Sequence, residues 1–104
     1  MERRRLKRAV SRIPVQFVAE SIHGTGHIKN LNQEGLLIRT GVLPDPGDTV
    51  HLNFMSPEGR KVEVEGIVRW TTAQMDETVP AGFGVKLVRV DEEYLRFFES
   101  ILLG

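Results

Sequence analysis

Apolar and polar residues alternate one for one along most of this chain, which is the period of a strand with one face buried. Ile13, Val15, Phe17 and Ala19 share one parity and predict a first strand, with Pro14 near its start, where a missing N–H does least harm. His23-Gly24-Thr25-Gly26 reads as a turn and His27 to Leu31 as a short second strand. Asn32-Gln33-Glu34-Gly35 reads as a further turn, with Gly35 able to take a positive φ, followed by a strand from Leu36 to Thr40. The two prolines of Leu43 to Asp48 mark a loop, and Val50, Leu52 and Phe54 alternate beyond it. Ser56-Pro57-Glu58-Gly59 has the composition of a tight hairpin. Lys61 to Thr72 is the longest predicted strand, with Val62, Val64, Val68 and Trp70 on one parity and Gly66 marking a bulge or a close backbone approach. After a polar loop from Thr72 to Ala81, Phe83, Val85 and Leu87 alternate once more.

At Asp91 the period changes. Tyr94, Leu95, Phe98, Ile101 and Leu102 follow helical spacing, and Asp91 stands where an N-cap belongs. The prediction is an all-β domain with one helix: about six short antiparallel strands closed into a small barrel, and a C-terminal helix over 91–103 packed on one opening. The 104 residues fit one domain, divided into a flexible basic segment (1–12) and a barrel with its helix (13–104).

Charge sharpens this division. The whole chain carries 14 basic and 14 acidic residues. Within residues 1–12, however, Arg3, Arg4, Arg5, Lys7, Arg8 and Arg12 face Glu2 alone, so the segment is +5 and the remainder −5. Such local charge seeks a local anion rather than a long polyanion or a membrane surface. There is no cysteine, so disulfides, thiolate metal sites and cysteine nucleophiles are excluded. No apolar run approaches the ~18 residues needed to span a bilayer, and the charged start does not resemble a secretory signal. A cytoplasmic location is the expectation.

Three features invite a functional reading beside a plain one. Arg3-Arg4-Arg5-Leu6-Lys7-Arg8 is either a solvated, mobile tail or a set of planar forks that pair with phosphate and with the O6/N7 edge of guanine. Asn30 and Asn32 are either local Asx-type turn formers or paired amides at a strand end, with Gly35 allowing a ligand to approach. Trp70, the only tryptophan, is either a core aromatic or a stacking surface for a purine beside the cationic Arg69. His23, His27 and His51 lack the carboxylate cluster that would complete a metal site, so no metal is expected. Asp45 with Asp48, in a turn, and Glu63 with Glu65, on the outward parity of a strand, read as solvated pairs rather than catalytic ones. No nucleophilic triad order or phosphate-binding loop stands out, and no enzymatic activity or cofactor is expected.

Taken together, these residues resemble the PilZ family, which carries an RxxxR element before its first strand and a (D/N)xSxxG element at a later turn. Arg4 and Arg8 match the first element; Asn30, Asn32 and Gly35 match the second, with Asn32 at the serine position and 21 residues between Arg8 and Asn30. Ile13-Pro14-Val15, Gly66-Ile67-Val68-Arg69-Trp70 and Gly82-Phe83-Gly84-Val85-Lys86-Leu87 resemble the family's strands, so the likeness covers nearly the whole chain. The resemblance implies a PilZ-like split barrel that clamps the bacterial second messenger cyclic di-GMP. Arg4 and Arg8 would grip guanine edges and phosphates, Asn30 and Asn32 would hydrogen-bond a guanine, Gly35 would shape the turn and Trp70 would stack. An arginine at Arg3 accompanies, in the family, an intercalated pair of ligand molecules. The expected output is a ligand-ordered N-terminal segment that presents a changed surface to a downstream protein not identifiable from the sequence. Two rivals remain. One is a PilZ-fold interaction module that has lost the ligand, to which Asn32 points. The other is a small nucleic-acid-binding barrel, against which the negative remainder of the chain argues, so no DNA partner is expected.

Overall fold

Strands whose side chains alternate between apolar and polar bury one face, and here six such strands close that face upon itself. The computed structural model describes residues 13–20, 22–31, 34–73 and 80–103. The strands are β1 (Ile13–Val18), β2 (His23–Leu31), β3 (Gly35–Arg39), β4 (Thr49–Met55), β5 (Lys61–Thr72) and β6 (Gly82–Val90), followed by helix α1 (Glu92–Leu103). They form a closed barrel in the order β1-β2-β3-β6-β5-β4, antiparallel at every seam. Among the described residues, closure leaves no edge strand open to another chain.

The inward parity supplies the core: Val15 and Phe17, Ile28, Leu36 and Ile38, Val50, Leu52 and Phe54, Val62, Val64 and Val68, Phe83 and Val85 are all buried. Phe17 and Phe83 meet edge to face across it, ring centres 5.0 Å apart. Burial of each such side chain stabilises the fold by roughly 1.5–3 kcal/mol. Helix α1 packs against β5 and β6 through Tyr94, Phe97, Phe98 and Ile101. Phe97 reaches Phe54 at 5.2 Å. Burial pushes the Tyr94 phenol well above its ordinary pKa. The Asp91 carboxylate caps the helix, accepting from the Tyr94 amide at 2.9 Å, and its other oxygen accepts from the Glu63 amide at 3.3 Å. One side chain thereby starts the helix and ties it to β5.

Several expectations change. The turn expected at His23–Gly26 is instead strand, and the chain reverses earlier, where the Ala19 amide donates to the Ile22 carbonyl at 2.8 Å. Gly24 serves packing: a Cβ there would lie 3.1 Å from the Phe17 ring and 3.0 Å from Val42. On α1, Phe97 takes the inward place and Leu95 is exposed; the Leu102 side chain lies outside the described residues. Glu65, expected to be solvated, is half-buried between His51 (3.7 Å) and Arg89 (3.5 Å). The Ser56–Gly59 hairpin forms as expected, with Gly59 at φ 86°.

Candidate functional site

The strand register builds a site from residues far apart in sequence. Asn30 on β2 stands opposite Leu37 on β3, Leu37 opposite Gly84 on β6, and Gly84 opposite Trp70 on β5. These four residues form one row across four strands, with Asn30 and Trp70 at its ends. Three strand spacings, about 14 Å along the curved sheet, lie between those ends. The next outward row begins with Gly35 opposite Lys86. Between the rows lies an open groove of about 340 Å³, lined among others by Asn30, Glu34, Gly35, Arg69, Trp70 and Lys86.

Two irregularities turn side chains into this groove. The β5–β6 register shifts between Val68 and Trp70, so that Val68 is buried while both Arg69 and Trp70 are exposed. An added residue in one strand of a pair locally suspends the alternation. The parity that aligned Trp70 with Val62, Val64 and Val68 is thereby broken, and the core reading of Trp70 is corrected: it is 45% exposed. A second shift, between Ile28 and Asn30, does the same for β2 just before Asn30.

The glycines of the site work by letting atoms come close. A Cβ on Gly35 would lie 2.6 Å from the Val85 carbonyl oxygen, well inside van der Waals contact. Gly35 opens β3 and is absent from the positive-φ glycines, Gly47 and Gly59; the expected positive φ is corrected to a close backbone approach. Gly84 is the bed on which the indole lies, since a Cβ there would collide with Nε1 and Cε2 of Trp70. The ring therefore leans back over β6 and offers its other side outward. The Glu34 carbonyl accepts from the Leu87 amide at 2.8 Å and pins the β2–β3 connection to β6.

Of the residues singled out from sequence, Asn30, Gly35 and Trp70 come together in this groove. Arg3, Arg4, Arg8 and Asn32 lie outside the described residues. The sequence reading assigned no role to Glu34, Gly84 or Lys86 and saw Arg69 only as a neighbour of Trp70. Lys86 had a readable signal in its outward parity between Val85 and Leu87. Arg69 had the same signal in its parity after Val68, whereas the bulge that turns Trp70 outward had none.

The fold is a six-stranded closed antiparallel barrel with one C-terminal helix, and its outer groove joins an aromatic ring, an amide and exposed cations. A family model described as the PilZ domain matches residues 2–104, and the chain belongs to that family of cyclic di-GMP receptor domains. Its members are binding and effector domains rather than enzymes. No curated protein matches the chain significantly. Among solved structures, the fold is similar to that of the Bacillus subtilis inhibitor of motility (MotI/DgrA), with a TM-score of 0.73 at 15% identity over 90% of this chain. The matched region is 46% of that protein's chain, so the present chain spans about half its length. Among the described residues, no helix is long and apolar enough to cross a membrane.

Proposed function

We propose that this chain is a cytoplasmic sensor of cyclic di-GMP, and that the Asn30–Trp70 groove is the barrel's share of its binding site. The observation that carries this reading is the four-strand row that brings Asn30 and Trp70 into the same groove as Gly35 in a chain of the PilZ family. The ligand is flat and anionic, with two guanines and two phosphates. An indole held flat over Gly84 stacks on a guanine face, a contact worth about 1–3 kcal/mol. The Asn30 amide donates to and accepts from a guanine edge. Arg4 and Arg8 supply charge-assisted contacts to phosphate and to guanine O6/N7. Arg3 adds a further fork, in keeping with an intercalated pair of ligand molecules per chain. Ligand then fixes the basic segment against the barrel and presents a new surface to a downstream protein.

Calorimetric titration with cyclic di-GMP tests this directly. The expected result is saturation at two ligands per chain, with affinity falling as salt rises. Arg8→Ala should abolish or strongly weaken binding, because each charge-assisted contact is worth roughly 1.5–3 kcal/mol. Saturation at one ligand would remove the pair but keep the sensor. No heat at high micromolar ligand would favour the second reading, a PilZ interaction module without ligand, for which Asn32 at the motif's serine position is the specific reason.

A further inference from the structure

We propose that Arg69 and Lys86 are ligand-binding residues, forming on the barrel itself a cationic seat for a phosphodiester group. The inference rests on the cyclic di-GMP reading and deepens it, since it assigns phosphate recognition to groups outside the basic segment and the glycine-containing turn.

Arg69 and Trp70 share the outward side because of a deformation. In a regular strand, Arg69 and Trp70 would point to opposite faces. Arg69 keeps the outward side that alternation after buried Val68 gives it, and the shift between Val68 and Trp70 turns the indole to the same side, so that both line the groove. Lys86 arrives by register: it pairs with Gly35 on one side and Ile67 on the other, two residues along β6 from the Gly84 bed of the indole. The two cations thus stand on adjacent strands beside the stacking ring.

Among the described residues, their charge is also without an ion-pair partner. Elsewhere on the barrel, Arg60, Lys61 and Arg89 each lie within 3.5 Å of a carboxylate. Among the described residues, neither Arg69 nor Lys86 forms such a pair. Two nearby like charges repel, and an anion seated between them relieves that repulsion. A phosphodiester suits both partners, taking a planar fork from arginine and a point charge from lysine. Glu34, on the β2–β3 side of the groove, is an acceptor matched to the N1–H and N2–H edge of guanine.

The test is calorimetry with cyclic di-GMP on the full chain and on R69M, K86M and the double variant, over a range of salt, with thermal melting as the fold control. Methionine keeps an unbranched stem and removes the charge. Each single change should weaken binding about tenfold and the pair about a hundredfold. The dependence of affinity on salt should become shallower in each variant, while melting stays at the wild-type temperature. R69K should recover part of the loss, because the charge returns without the fork. If Arg69→Met lowers the melting temperature, that residue serves the bulge, and Lys86→Met with Lys86→Gln carries the test alone. Wild-type affinity and salt dependence in the Lys86 variants and in folded R69M would overturn the seat while leaving the sensor reading intact. A wild-type chain that binds no cyclic di-GMP would overturn both.

Discussion

The two sides of this barrel follow different rules. On the side of β1, β4 and α1, the registers between β1 and β2 (six pairs), β1 and β4 (four) and β4 and β5 (seven) run without interruption. Arg60, Lys61 and Arg96 there all sit near carboxylates. On the side of β2, β3, β6 and their seam with β5, the registers shift at Ile28/Asn30, at Glu65/Gly66 and at Val68/Trp70. Lys29, Arg39, Arg69 and Lys86, all carried by those strands, pair with no carboxylate among the described residues. The first side meets the demands of folding locally. The second keeps exposed charge, an exposed indole and broken alternation, features that cost stability or contribute none to the barrel itself.

The largest effect that would break this contrast belongs to the core that both sides share. Phe83→Ala removes a fully buried ring that meets Phe17 at 5.0 Å. It should cost about 3–5 kcal/mol in a denaturant melt. By contrast, truncating Trp70, whose ring is half outside, should lower stability far less and binding far more. A Trp70→Ala chain that unfolds as readily as Phe83→Ala would return the indole to the core and remove the contrast.

Gly84→Ala sharpens the comparison at smaller cost. The added methyl meets Nε1 of the indole, so the ring must swing away from its bed. Alanine also restricts the unfolded chain, a gain of roughly 0.4–1 kcal/mol that offsets part of the clash. Stability should therefore change by less than about 1 kcal/mol, and cyclic di-GMP affinity should fall several-fold. Trp70 is the only tryptophan, so its emission reports the displacement without interference. Unchanged emission with unchanged affinity would show that the ring does not need the glycine bed.

How much of this was legible beforehand follows the same division. Alternation in Val50-Leu52-Phe54 and Val62-Val64 predicted β4 and most of β5, because a regular register leaves parity intact. The Asp91 cap was equally readable, being a local bond to an amide three residues on. Parity failed at Trp70, where the bulge is set by how β5 meets β6. Glycine misled at Gly24 and Gly35, where it answers to Phe17, Val42 and Val85 across the barrel rather than to its own φ. The groove's motif residues were visible as a family resemblance; the cations Arg69 and Lys86 acquire meaning only from pairing partners distant in sequence.

The smallest effect draws the contrast most finely, because it uses one substitution on both sides. Arg60 lies 3.4 Å from Glu93, with its side chain 55% exposed. Water screens a pair of that kind, and ordering two long side chains offsets much of what the attraction supplies. Glu93 also keeps Arg96 within 3.9 Å when Arg60 is gone, so no carboxylate is stranded. Arg60→Met should therefore change stability by less than about 0.5 kcal/mol and leave cyclic di-GMP affinity and its salt dependence at wild-type values. Arg69→Met, chemically the same change, should leave stability equally untouched and weaken the ligand. Paired melting and titration of the two variants isolates position from chemistry. Equal losses of affinity in both would mean that the ligand responds to the overall charge of the barrel, and the groove would lose its claim to a specific cationic wall.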